Sequence, residues 1–122
     1  MSMEIYYVSG TGNSLRAARE LQKCLPGSVL IPIVRLLKHD TIKTRGDVVG
    51  FVFPNFCLSI PIPLAQFLKK ADVSSARYIF GLCTRGGSPS HACEYMNSLL
   101  GKQGKRVSAY ININMPWNHP VG

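Results

Sequence analysis

The chain has 122 residues, 14 Lys and Arg against six Asp and Glu for a formal charge of +8, and 46% apolar content. That length fits a single domain over residues 1–122 whose core needs no disulfide or metal staple, and the composition excludes intrinsic disorder. No apolar run is long enough to span a bilayer, and no basic stretch followed by an apolar run marks a secretory signal, so the expected compartment is the cytoplasm.

Glu4-Ile5-Tyr6-Tyr7-Val8 reads as a short strand of β-branched and aromatic residues. It runs directly into Ser9-Gly10-Thr11-Gly12-Asn13-Ser14, after which Leu15, Ala18, Leu21 and Leu25 recur at helical steps until Pro26-Gly27. Val29 to Val34 is a second strand, and Pro32 marks it as an edge strand. Residues 35–46 are polar and basic and end in a loop at Thr44-Arg45-Gly46. Val48 to Phe53 is continuously apolar, as a central parallel strand covered on both faces must be.

Pro54 closes that strand, and a proline-rich loop runs to Pro63, which suits the first turn of a helix. Leu64, Phe67, Leu68 and Ala71 then share a helical face, with Lys69 and Lys70 near the end, where the helix dipole favours cations. Arg77 to Cys83 is another buried-type strand, followed by the glycine-rich loop Thr84-Arg85-Gly86-Gly87-Ser88-Pro89. Ser90 caps a helix with Ala92, Tyr95, Met96, Leu99 and Leu100 on one face, ended by Gly101 and Gly104. Val107 to Ile113 alternates loosely, as a strand near a sheet edge does, and 114–120 is loop. Strands alternating with helices predict an α/β domain, a parallel sheet with helices on both faces.

In such a sheet ligands bind beyond the carboxyl ends of the strands. Three loops fall there: 9–14, 54–61 and 84–89. In the first, backbone N–H groups at a helix start, the glycines 10 and 12, and the side chains of Ser9, Thr11, Asn13 and Ser14 form a natural anion site. No Lys follows as in a nucleoside-triphosphate loop, and GxGxxG is absent. Phe56 offers a flat apolar surface in the second loop, and Gly86, Gly87, Thr84 and Arg85 offer close approach and hydrogen bonds in the third. Cys57 and Cys83 lie at or beside these loops, either as reactive thiols or as small buried residues. The four cysteines show no CxxC spacing, which argues against a zinc site. His39, His91 and His119 have no carboxylate partner at a telling spacing, so no catalytic acid or base is assigned.

Ile5-Tyr6-Tyr7-Val8-Ser9-Gly10-Thr11-Gly12-Asn13-Ser14 resembles the first strand and phosphate loop of the flavodoxin family, in which an S/T-x-T-G-N-S/T stretch holds the phosphate of FMN. Gly50 to Pro61 is similar to the third strand and flavin loop, Cys83 to Ser88 to the second flavin loop, and Met115-Pro116-Trp117-Asn118-His119 to a Met-Pro-x-Asn-Tyr stretch. The set resembles flavodoxin domains that are fused to, or work with, ferredoxin-type iron–sulfur domains. The resemblance implies a doubly wound five-stranded parallel sheet of order 2-1-3-4-5 with FMN as cofactor. Ser9, Gly10, Thr11, Gly12, Asn13 and Ser14 would then bind the phosphate. Pro54, Asn55, Phe56 and Cys57 would line the isoalloxazine, and Thr84, Arg85, Gly86 and Gly87 would meet its polar edge. Arg85 on the pyrimidine side would stabilise the anionic reduced flavin and raise its potential.

Flavodoxins are typically acidic, whereas this chain is strongly basic. Its redox partner is therefore expected to be acidic, as a ferredoxin-like domain would be. The cations are scattered along the chain and do not form one stripe interleaved with aromatics, which argues against a nucleic-acid or other polyanion-binding module. A flavin-free interaction domain is the remaining alternative, and the intact phosphate loop argues against it. A flavodoxin fold also carries a last helix after its fifth strand, and Gly122 comes first. Apolar surface on strands near 48–53, 79–83 and 107–113 is then expected to be uncovered, or covered in a homodimer.

Overall fold

Five parallel strands carry the architecture: β1 (Met3–Tyr7), β2 (Val29–Pro32), β4 (Val48–Phe53), β6 (Tyr78–Cys83) and β7 (Ala109–Asn112). They lie side by side in the order β2-β1-β4-β6-β7, which is 2-1-3-4-5 when the strands of this sheet alone are counted. The computed structural model describes residues 2–8, 13–54, 60–84 and 90–112. The expectations for Ile113, for the 115–119 stretch and for a helix after the fifth strand lie outside the described residues.

Helix α1 (Asn13–Cys24) covers one face of the sheet. The short α2 (Ile33–Leu36), α3 (Ile62–Lys70) and α4 (Ser90–Leu100) cover the other. The faces differ because the strands alternate. Tyr6, Val49, Phe51, Phe53 and Ile79 turn toward α3 and α4 and join Leu64, Phe67, Leu68, Met96 and Leu100 in the main core. Ile5, Val52 and Leu82 turn the other way and meet Ala17 and Ala18 of α1. The main core centres on three rings, Tyr6, Phe51 and Phe67, whose centroids are 5.0–5.9 Å apart. The smaller core rests on two alanines, which let α1 approach the sheet closely.

Three boundaries differ from the sequence reading. The second strand stops at Pro32, and Ile33 opens one helical turn that buries its side chain completely. Within the expected polar stretch, Ile42–Lys43 forms β3, which pairs in parallel with β5 (Ala71–Asp72) as a separate two-stranded sheet. Ala71, expected on the helix, is therefore extended, although its N–H still closes α3 by donating to Phe67 O. Long-range pairing outweighs the helical spacing at that point. Beyond α4, a single 3₁₀ turn (Gly101–Gln103) ends at Gly104, whose φ of 74° is open to glycine without strain.

Among the described residues, the face beside α1 is less open than expected. Val52, Phe80 and Leu82 are all buried, and only Tyr78 and Ile111 stand about half exposed there.

Two tyrosines tie stability to alkaline pH. Burial first, then the hydrogen bond to Glu4 and its charge, push the Tyr6 phenol well above its ordinary value of 10.0. Burial first, then Cys83, does the same to Tyr110. A raised folded value for an acid means that the folded state holds its proton more tightly than the unfolded one. The corresponding stability is complete below pH 10 and falls as pH rises past it. Tyr6→Phe removes one hydrogen bond, so it is expected to lose about 1 kcal/mol at pH 7. Its stability should fall less steeply than that of the parent between pH 9 and 11, as urea denaturation across that range would show.

Candidate flavin site

The candidate site is assembled at the carboxyl ends of β1, β4 and β6. The ladder continues past the strands: Val8 N–H donates to Val52 O at 2.9 Å and Thr84 N–H to Phe53 O at 2.9 Å. Val8, Pro54 and Thr84 therefore stand along one rim, the outer two about 10 Å apart at the usual strand spacing. The three loops singled out from the sequence depart from this rim. Of the expected site residues, Ser9, Gly10, Thr11, Gly12, Asn55, Phe56, Cys57, Arg85, Gly86 and Gly87 lie outside the described residues, as does the side chain of Asn13. Pro54 is half-buried at the end of β4. Ser14 and Thr84 are buried, each about 1% exposed.

These two hydroxyls meet. Ser14 Oγ lies 3.5 Å from Thr84 Oγ1, across 70 residues of sequence. The helix and strand periods explain how. Ser14 is three and four residues before Ala17 and Ala18, so all three share the face of α1 that lies on the sheet. Thr84 is two residues after Leu82, so it points to the same side of the sheet as Leu82 does. Ala17 and Ala18 share one core with Ile5, Val52 and Leu82, and one turn earlier Ser14 reaches Thr84. The separation is long for a hydroxyl pair, which ordinarily closes to about 2.7–2.8 Å, so each group keeps most of its capacity to donate to a third oxygen. Positioned at the start of α1, where the helix dipole favours negative charge, the pair suits an anionic oxygen.

Cys83, next to Thr84, is buried in the opposite core and is not in a disulfide. It interacts with the Tyr110 hydroxyl, a pairing that sequence spacing does not signal. This supports reading Cys83 as a packing residue that helps hold β7 against β6. Tyr110 also packs on Phe53, with ring centroids 6.3 Å apart.

Solved structures share this fold over nearly the whole chain. A candidate flavoprotein from Bacteroides uniformis ATCC 8492 superposes with a TM-score of 0.71 at 14% identity, over 93% of this chain and 90% of its own. A flavodoxin from the domain Archaea gives 0.61 at 14% identity, over 93% and 85%. An azoreductase from Bacillus anthracis str. Sterne gives 0.61 at 14%, over 93% and 87%. No family model and no curated protein matches the sequence. At these identities the likeness is one of fold: the chain has the flavodoxin-like fold, a five-stranded parallel sheet between helices.

Proposed function

We propose that the chain is an FMN-binding electron-transfer domain. The observation that carries this reading is the buried Ser14–Thr84 hydroxyl pair, which joins the first and third loops at the rim where a parallel sheet binds its ligand. The residue types suit the group, and the buried Ser14–Thr84 pair supports them. Ser9, Gly10, Thr11, Gly12, Asn13 and Ser14 would hold the phosphate at the start of α1. Pro54, Asn55, Phe56 and Cys57 would flank one side of the ring, Arg85, Gly86 and Gly87 would make its other polar contacts, and Thr84, which meets Ser14, would reach the phosphate rather than the ring. The flavin, when bound, supplies the redox chemistry, and the protein supplies its orientation and potential. The flavoprotein and flavodoxins among the similar folds support a flavin as the cofactor. The charge of +8 supports an acidic redox partner, such as a ferredoxin-like domain.

The azoreductase among the similar folds favours a second reading of the same site, an FMN-dependent reductase. One preparation separates these readings. The purified chain should be yellow or, when stripped, quench FMN fluorescence with one-to-one stoichiometry. A colourless chain that does not quench FMN defeats the proposal. Rapid bleaching of the bound flavin by NADH or NADPH alone favours the reductase. Bleaching only through a reduced iron–sulfur protein favours the carrier.

A further inference from the structure

A cleft of about 470 Å³ lies on the α3 side of the sheet, over β1 and β2 and well away from the ligand rim. Its volume is that of a small-molecule site. Glu4, on its wall, sits four residues before Val8, about 13 Å down the strand from the rim. We propose that this cleft binds a small organic anion with an apolar body, independently of any flavin.

The floor is apolar, formed by Tyr6, Ile31 and Leu36. The facing wall is the segment from His39 to Arg45, in which burial alternates from Thr41 onward about β3. Ile42 and Thr44 are buried and Thr41, Lys43 and Arg45 are exposed; the buried Ile42 lines the cleft along with these three. A hydroxyl and two cations therefore border an apolar floor, a combination that selects for a carboxylate, sulfonate or phosphate ester on a hydrophobic skeleton.

The wall is fixed at both ends and in the middle. Lys70 Nζ donates to Leu37 O at 2.9 Å and to His39 O at 3.2 Å, which pins the turn after α2. Thr44 N–H donates to Asp72 O, and its hydroxyl pairs with Ser75 Oγ at 2.8 Å. Arg45 N–H and Gly46 N–H both donate to Glu4 Oε1 at 2.9 Å, as does the Tyr6 hydroxyl. Glu4 thus spends its lining carboxylate on three donors at one oxygen. That lessens its repulsion of an incoming anion and leaves Oε2 to accept from a ligand N–H or O–H. A site held in place before binding loses little entropy on closing around its ligand. None of the backbone bonds that shape the wall uses the side chains of Lys43 or Arg45; Lys43 stands beside Asp72, its register partner, and Arg45 near the Tyr6 ring.

The test uses 8-anilinonaphthalene-1-sulfonate, which joins two apolar ring systems, a sulfonate and one N–H. The probe is titrated by fluorescence and by amide NMR into the full chain, with and without saturating FMN. One-to-one binding, amide shifts at Thr41, Lys43 and Arg45, and equal affinity in both conditions are expected. Lys43→Ala/Arg45→Ala should weaken the probe about tenfold or more, because two charge-assisted contacts go while the backbone bonds of the wall stay. Displacement of the probe by FMN, shifts confined to residues around 14 and 84, or unchanged affinity in the double variant would each overturn the inference. Failure of FMN itself to bind would defeat the flavin reading and leave this test intact.

Discussion

In the Ser14→Ala/Thr84→Val double variant, affinity for FMN is expected to fall about 10- to 100-fold, while affinity for riboflavin, which lacks the phosphate, changes by less than about twofold. A hydrogen bond to a charged group contributes about 1.5–3 kcal/mol, and the loss of one or two such bonds gives that range. The double variant is preferable to either single one. Thr84→Val alone leaves the buried Ser14 hydroxyl without the partner it has at 3.5 Å, which adds a folding penalty to the binding effect. Replacing both groups with apolar atoms of similar shape is close to neutral for folding, so urea denaturation should show a midpoint near that of the parent. The flavin comparison then reads where the hydroxyls act. Selective loss of FMN assigns Thr84 to the phosphate together with Ser14. Equal loss of both flavins assigns the pair to the ring or ribityl chain, as the resemblance implied for Thr84. Unchanged binding of both removes the pair from the site.

That pairing shows what could and could not be read from the residues in order. Ser14 and Thr84 were each legible as polar loop-side residues, and even their orientation follows from period: four residues from Ala18 on a helix, two from Leu82 on a strand. Their contact was not legible, because it depends on α1 lying over β1 and β4 so that its first turn reaches the end of β6, and 70 residues separate the partners. The central strands were legible because a strand covered on both faces must be apolar throughout, which Val48–Phe53 and Tyr78–Cys83 nearly are. The order of the sheet came from the loop motifs rather than from the strands themselves. β3 and β5 were invisible for the opposite reason. Two residues carry no period, Ile42 stands among polar neighbours, and Ala71 continues the spacing of Leu64, Phe67 and Leu68 so well that only its pairing with Ile42 reveals it as extended. The wall of the cleft depends on that short pairing, so the cleft was equally hidden. Glu4 reads locally as the polar first residue of a strand, and nothing near it announces that Arg45 and Gly46 return to it.

Gly50→Ala is expected to destabilise the domain by about 1–3 kcal/mol, a large effect for a single methyl group. Gly50 and Phe80 are register partners on neighbouring strands, and both turn toward the α1 side. The tip of the Phe80 ring leans across β4 into the space a side chain at position 50 would fill. A Cβ there would stand 2.1 Å from Cζ and 2.5–2.6 Å from the two Cε atoms. No rotation of the ring about its own axis relieves a contact with Cζ, so the whole side chain must leave its well. Phe80 is only 9% exposed, and its displacement carries apolar area back into water. A double-mutant cycle separates this from an effect of alanine on the strand itself. Phe80→Leu shortens the side chain at the tip and should recover much of the loss in the Gly50→Ala background, with a coupling of about 0.5–3 kcal/mol. Additive effects in denaturant would show that the two residues do not compete for one space. The same ring decides how much apolar surface the sheet offers beside α1, where Tyr78 and Ile111 are already 45% and 48% exposed. Lifting Phe80 would join it to them. Gly50→Ala is therefore also expected to self-associate more strongly than the parent in sizing chromatography over a range of concentrations. The Phe80→Leu background should weaken that association along with the strain, because both arise from the same displaced ring.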